Sequence, residues 1–258
     1  MPIIQHLGTA YASGSDGEFP VGNITTSSLL SWFDPAKFAN YNQGTLADPH
    51  SASSDSTQWR INRNGQAVSG LEGHAVEPVS GSDIIGANTN GDVPAFNTTN
   101  YSMEFWLYVG QTNNSSWGHL GGKAAFWGNN EGGIYINSDG VSMGFHTSSA
   151  GNNGINIPVV GWHQFVFVRN QGDTNCRKLY LDSSLVLQDN VGDGNNDHQM
   201  NNNYCLSVNC HSNTTTTADS GGYHPKNWKL GHGRFYTKGL SSTEVATNWT
   251  AQRSTYGV

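Results

Sequence analysis

The chain has 258 residues and a net charge of −7, from 12 Lys+Arg against 19 Asp+Glu. It contains no basic cluster, which argues against nucleic acid as a partner, because phosphates are held by lysine and arginine. With 35% hydrophobic and 11% aromatic residues it carries enough apolar surface to disfavour disorder, and no run of about 20 apolar residues is present to insert in a membrane.

The start, Met1 to Leu7, has no basic segment followed by a long apolar one. It is therefore not read as a signal peptide, and synthesis in a host cytoplasm is expected. Residues 1–24 are rich in Gly and Ser and read as an arm or linker that packs on a neighbouring subunit; residues 25–258 read as one domain. The first strand is Leu29 to Phe33, stopped by Asp34-Pro35. Residues 40–100 are irregular, with short runs at Gln58–Ile61 and Asp83–Ile85.

Ser102 to Val109 is the clearest strand: Met103, Phe105, Leu107 and Val109 alternate with Ser102, Glu104, Trp106 and Tyr108. A hairpin follows, with Gly133–Ile136 and Val141–Phe145 flanking a turn at Asp139-Gly140. Trp162–Val168 reads as a core strand, and Lys178–Leu181 and Leu185–Leu187 as a second hairpin about Asp182-Ser183-Ser184. Asp189 to Asn203 is a polar loop. The last strand lies near Trp228–Tyr236, and one helix follows, capped by Ser241 or Ser242, with Glu244 near its positive end and Val245 and Trp249 on one face. Many short strands and one late helix predict an all-β, two-sheet antiparallel sandwich with a short C-terminal helix.

Three segments carry a family resemblance. Tyr101–Tyr108, then Gly161–Val168 with Leu179-Tyr180-Leu181-Asp182, and finally Gly233–Val245 resemble, in order and spacing, the concanavalin A-like (laminin-G-like) jelly roll. The ending Trp249–Val258 resembles that of laminin-G-like virion proteins of tailed, notably marine, bacteriophages. The resemblance implies a jelly roll and a structural protein on a virion surface, with other virion proteins and itself as partners. A capsid decoration or cement role is the first expectation, and a tail or fibre-associated receptor-binding protein the alternative.

Glycosidases of the related superfamily place carboxylates as Glu-x-Asp-x-x-Glu, a motif this chain lacks, and on that ground it is expected to be no enzyme. Gly140–Gly144 matches Gly-x-Ser-x-Gly, but a nucleophile elbow turns from strand to helix and this run leads from a hairpin turn into a strand. Calcium, which the laminin-G relatives often bind, would find its oxygens at Asp189, Asp193 and Asp197. Host-surface glycans would find aromatic rings at Trp117, Trp127 and Trp228, which sit in Gly/Asn-rich, loop-like contexts. His119, His146, His163 and His232 show no metal-ligand spacing. Cys176, Cys205 and Cys210 are an odd number and read as incidental thiols, a Cys205–Cys210 bridge remaining open.

Overall fold

The computed structural model describes residues 24–33, 100–113, 118–123, 132–136, 140–145, 154–190, 207–208 and 228–258, and short strands at 5–6, 9–10, 45–47, 58–62 and 84–88. In chain order the strands are β1 (Gln5–His6), β2 (Thr9–Ala10), β3 (Leu29–Phe33), β4 (Thr45–Ala47), β5 (Gln58–Asn62), β6 (Ile84–Asn88), β7 (Tyr101–Val109) and β8 (Gly118–Lys123). They continue with β9 (Gly132–Ile136), β10 (Ser142–Phe145), β11 (Gly154–Asn156), β12 (Gly161–Arg169), β13 (Arg177–Leu181), β14 (Ser184–Asp189), β15 (Ser207–Val208) and β16 (Lys229–Tyr236). Helix α1 (Ser242–Gln252) runs into a 3-10 turn at Arg253–Tyr256.

An eight-stranded sheet has the order β11-β10-β9-β8-β15-β6-β5-β4, and a six-stranded sheet the order β14-β13-β12-β7-β16-β3. Neighbours within each are antiparallel. The chain is the β-sandwich with one C-terminal helix that its alternating pattern predicts. Of the N-terminal arm, the described part is a small hairpin in which β1 pairs with β2; the rest of residues 1–23 lies outside the described residues.

β7 lies in the middle of the six-stranded sheet, and both of its faces are buried. Met103, Phe105, Leu107 and Val109 share one face with Phe165, Phe167 and Phe235, all fully buried or within 1% of it. Phe105 meets Phe235 edge-on at 5.7 Å, and Tyr101 stacks on Phe167 at 5.5 Å. This face is the one left for the second sheet, because α1 covers the other. There Leu29, Val166, Val168, Tyr180, Tyr236, Leu240 and Val245 form a second apolar cluster. Trp106 lies in the same layer, with Trp249 stacked on it at 5.2 Å and Tyr256 at 4.3 Å. Truncating a ring buried this way costs about 3–5 kcal/mol.

The helix is placed by polar bonds as well as packing. Ser241 is its N-cap, and with Glu244 it forms a reciprocal capping box. At the sheet, Ser102 donates its hydroxyl to the Lys238 carbonyl and accepts the Leu240 N–H, which fixes the approach to the helix. Beneath the helix, the Glu104 carboxylate receives four donors: Gln164 Nε2 (2.8 Å), Arg234 Nη1 (2.8 Å), Tyr236 Oη (3.2 Å) and Asn248 Nδ2 (2.7 Å). All five residues are essentially inaccessible. Asn248 also accepts the Thr25 N–H, so strand, helix and the segment before β3 meet at one buried carboxylate. Such a group is tolerated in the interior only because each oxygen is paired.

Candidate functional site

The register brings one set of residues to the Val109 end of the six-stranded sheet. Trp162, the second residue of β12, lies opposite Tyr108 near the end of β7, and Lys229 begins β16 opposite the same Tyr108. All three are half-buried, whereas β12 is buried from Gln164 onward and β16 from Leu230 onward. Tyr108 and Trp162 meet edge-on at 5.6 Å, Lys229 Nζ lies 5.5 Å over the Tyr108 ring, and Trp162 touches Tyr256 at 4.6 Å. Through Tyr256 and Trp106 the rings run on to Trp249, so the accessible pair is backed by a continuous aromatic layer. Tyr256 is itself held: its hydroxyl is hydrogen-bonded to His232 Nδ1 (2.8 Å) and accepts the His232 backbone N–H (3.1 Å). Gly231 permits this approach, since a Cβ there would lie 2.5 Å from the Tyr256 hydroxyl.

On the other face of the same end, His163 Nδ1 lies 2.7 Å from Asp182 Oδ2 and His163 Nε2 lies 2.9 Å from the Val159 carbonyl. Burial alone lowers the affinity of the ring for a proton; the hydrogen bond and charge of Asp182, with the Val159 carbonyl, outweigh it and hold the His163 pKa above the usual histidine value. Asp182 and Ser183 form the two-residue turn between β13 and β14, both at positive φ (49° and 67°). The turn is a primed type, which favours Asn-Gly or Asp-Gly. Here the Asp182 side chain supports it by accepting the Gln164 N–H, while the Asp182 N–H donates to the Gln164 carbonyl.

Around these groups stand exposed aliphatic side chains. Among the described residues the exposed large hydrophobics are Val141, Val159, Val160, Leu185 and Val258, with Val159 at 74% and Val160 at 55%. Val159 and Val160 lie at this end, directly before β12; Val141 is tied to the same loop, its carbonyl accepting the Ile157 N–H.

The residues singled out in the sequence fall elsewhere. Trp228 is corrected: it is fully buried, near-parallel to Phe165 at 6.3 Å, with Nε1 donating to the Gln111 carbonyl, and it offers no face to a ligand. Trp117 and Trp127 lie outside the described residues. Asp189 is corrected as well: it ends β14 rather than opening a loop, and both its oxygens are taken by Arg177, at 2.7 Å from Nε and 2.6 Å from Nη2. Its supposed calcium partners Asp193 and Asp197 lie outside the described residues, as do Cys205 and Cys210, whereas Cys176 is a buried free thiol. Ser142 of the Gly-x-Ser-x-Gly run opens strand β10 after a turn at Gly140 (φ 71°), the context that speaks against an elbow.

Comparison with known proteins gives folds. No protein-family model matches the chain, and no curated protein does. Among solved structures it is similar to Trypanosoma rangeli sialidase in complex with sialic acid, at 9% identity and a TM-score of 0.56 over 91% of this chain and 34% of the sialidase. The same sialidase in complex with 2,3-difluoro-KDN gives 10% identity and a TM-score of 0.60. The receptor-binding domain of the botulinum neurotoxin C/D mosaic serotype matches at 14% identity and a TM-score of 0.59, over 87% of this chain and 51% of that one. The chain thus spans about a third of the sialidase and half of the toxin chain, and the likeness establishes a shared β-sandwich. None of these matches links it to a phage particle.

The sialidase matches overturn the expectation that the chain is no enzyme. That expectation rested on a missing carboxylate pair, and sialidases do not need one: their nucleophile is a tyrosine. In this chain a tyrosine–glutamate pair does occur, Tyr236 with Glu104 beside Arg234, but all three are buried under α1, and burial first, then the Glu104 charge, drives the Tyr236 phenol far above its usual pKa. This pair is a packing element of the described fold.

Proposed function

We propose that the chain is a carbohydrate-binding β-sandwich that recognises a receptor glycan at the Val109 end of the six-stranded sheet. The observation that carries this reading is the half-buried Tyr108–Trp162 pair, braced from below by Tyr256 and Trp106 and flanked by Lys229. A sugar presents an apolar ring face to an aromatic plane and hydroxyls to neighbouring polar groups, and rings already fixed by packing lose little freedom on binding. The matched structures support the reading from outside, since they include a sialidase bound to sialic acid and a toxin's receptor-binding domain.

The test is a glycan array probed with the wild-type chain and with Trp162→Ala. Retention of a defined glycan class by the wild type, weakened at least about tenfold in the variant, is the expected result; tenfold corresponds to about 1.4 kcal/mol. Binding that survives Trp162→Ala unchanged moves the site elsewhere, and an array silent for the wild type ends the reading.

The likeness of Trp249–Val258 to phage virion proteins suggests a virion setting for this activity, and the similarity to a toxin's receptor-binding domain favours a tail or fibre-associated receptor-binding protein ahead of a capsid decoration protein. Immunogold labelling of particles with antibody to this chain decides it. Label on tails supports the adhesin, label spread over heads supports decoration, and unlabelled particles remove the virion from the account.

A further inference from the structure

Two strands and a loop meet at His163, and their hydrogen bonds leave its ring a single arrangement. Nδ1 faces a carboxylate oxygen of Asp182, and Nε2 faces the carbonyl oxygen of Val159. Carboxylate and carbonyl oxygens accept, while a neutral imidazole has one N–H and one lone pair. A neutral ring therefore satisfies one partner and turns a lone pair toward the other; both bonds stand together only when the ring carries two protons. Asp182 is the charged group facing the ring from the β13–β14 turn. Across the sheet its partner on β7 is Leu107, and along its own strand it meets the edge of Phe165 at 6.2 Å, neither of which titrates.

What the ring holds is the segment Pro158-Val159-Val160, which carries the most exposed aliphatic side chains of the described residues. It enters β12 at Gly161, whose φ of 148° is one that other residues rarely adopt. Val159 is thus fixed on one side by the His163 bond and followed on the other by a glycine joint. The ring is 12% exposed and Asp182 30%, so protons reach the pair without unfolding.

We propose that His163 is a proton-operated clasp: protonated, it ties the Val159–Val160 loop to the Asp182 turn and holds the Val109 end in one shape, and neutral, it releases the loop. The consequence for affinity rests on the glycan reading above; the clasp itself does not. Because the bound proton is favoured in the closed form, closure is complete below the ordinary histidine pKa and is lost as the pH rises through the raised value.

The experiment needs no ligand. Nitrogen-15 NMR of the histidine ring and the backbone amides is followed on the intact chain from about pH 5 to about pH 9, across the range in which histidine titrates. The expected result is a ring with two N–H groups at the acid end. The amides of Val159, Val160 and Gly161 should then shift with the ring's own midpoint, and their protection, measured as exchange relative to the intrinsic rate at each pH, should fall several-fold above it. Asp182→Asn keeps a residue at ease at positive φ and should lower that midpoint; His163→Gln should leave the loop amides indifferent to pH. A ring that stays neutral throughout, or loop amides that do not move while the ring titrates, overturns the clasp. A silent glycan array would leave the clasp standing, and a silent loop would leave the glycan reading standing.

Discussion

At the Tyr101 end of the six-stranded sheet, charges are paired; at the Val109 end, rings and aliphatic side chains take their place. Arg177 and Asp189 close the first end with a two-pronged ion pair, almost fully buried, and Lys178–Asp173 and Lys238–Glu244 add half-exposed pairs beside the capped start of α1. The second end has the Tyr108–Trp162 pair, the exposed Val159 and Val160 and the His163–Asp182 contact. The same strands supply both ends, so the difference comes from which residues begin and end them. It teaches that one end is closed for stability and the other is left with unspent apolar surface, the usual mark of a contact site.

Substitutions sharpen this contrast, beginning with the largest effect. Arg177→Ala removes both hydrogen bonds that Arg177 gives Asp189 across this largely buried pair and should cost about 3–5 kcal/mol in urea unfolding. A loss under about 1 kcal/mol would mean that this end is not the stabilising one. Trp162→Ala should cost about 1–2 kcal/mol, because the ring is half-buried, while removing most glycan retention. Ser241→Ala deletes the helix cap and should cost about 1 kcal/mol with retention intact. Val160→Ser, on an exposed side chain, should change stability by no more than about 0.5 kcal/mol.

Acid and base should loosen opposite ends. Asp173 is held below the ordinary carboxylate pKa chiefly by its hydrogen bond from Lys178. At Glu244 burial pushes the pKa up, but the bonds from Lys238 and Ser241 outweigh it and leave it lowered. Their contributions are present above the unfolded values of 3.8 and 4.5 and fade as the pH falls through the depressed folded ones. His163 has the reverse sign: its contribution is present below 6.5 and fades as the pH rises through the raised value. Amide exchange mapped at both extremes checks this, and a uniform response along the sheet would erase the distinction between the ends.

Much of the fold was legible because local rules agreed with it. Strict alternation marked β7, the Ser241…Glu244 spacing marked the helix start, and Asp182-Ser183 marked a tight turn. The site was less legible, because exposure depends on partners far along the chain. Trp228 stands among loop-forming residues, yet Phe165 and Gln111 bury it from 63 and 117 positions away. Glu104 looks solitary on its strand; its four donors come from 60 to 144 positions away. Trp162 reads as core in a strand that becomes fully buried only further along, and its place at the strand's start leaves the ring half open. Asp189 belonged by composition to the Asn-rich loop, and only its pairing opposite Arg177 shows otherwise.

The layer under α1 also bears on how the chain is made. β3 pairs with β16 about 200 positions later, and the Trp106 ring is covered only when Trp249 and Tyr256 arrive. During synthesis, then, β7 waits with one flank bare and Glu104 without Arg234, Tyr236 and Asn248 until the last of these has left the ribosome. Contacts of such long separation make closure slow, and the nascent strands pass through a period of exposure in which chaperones have most to offer.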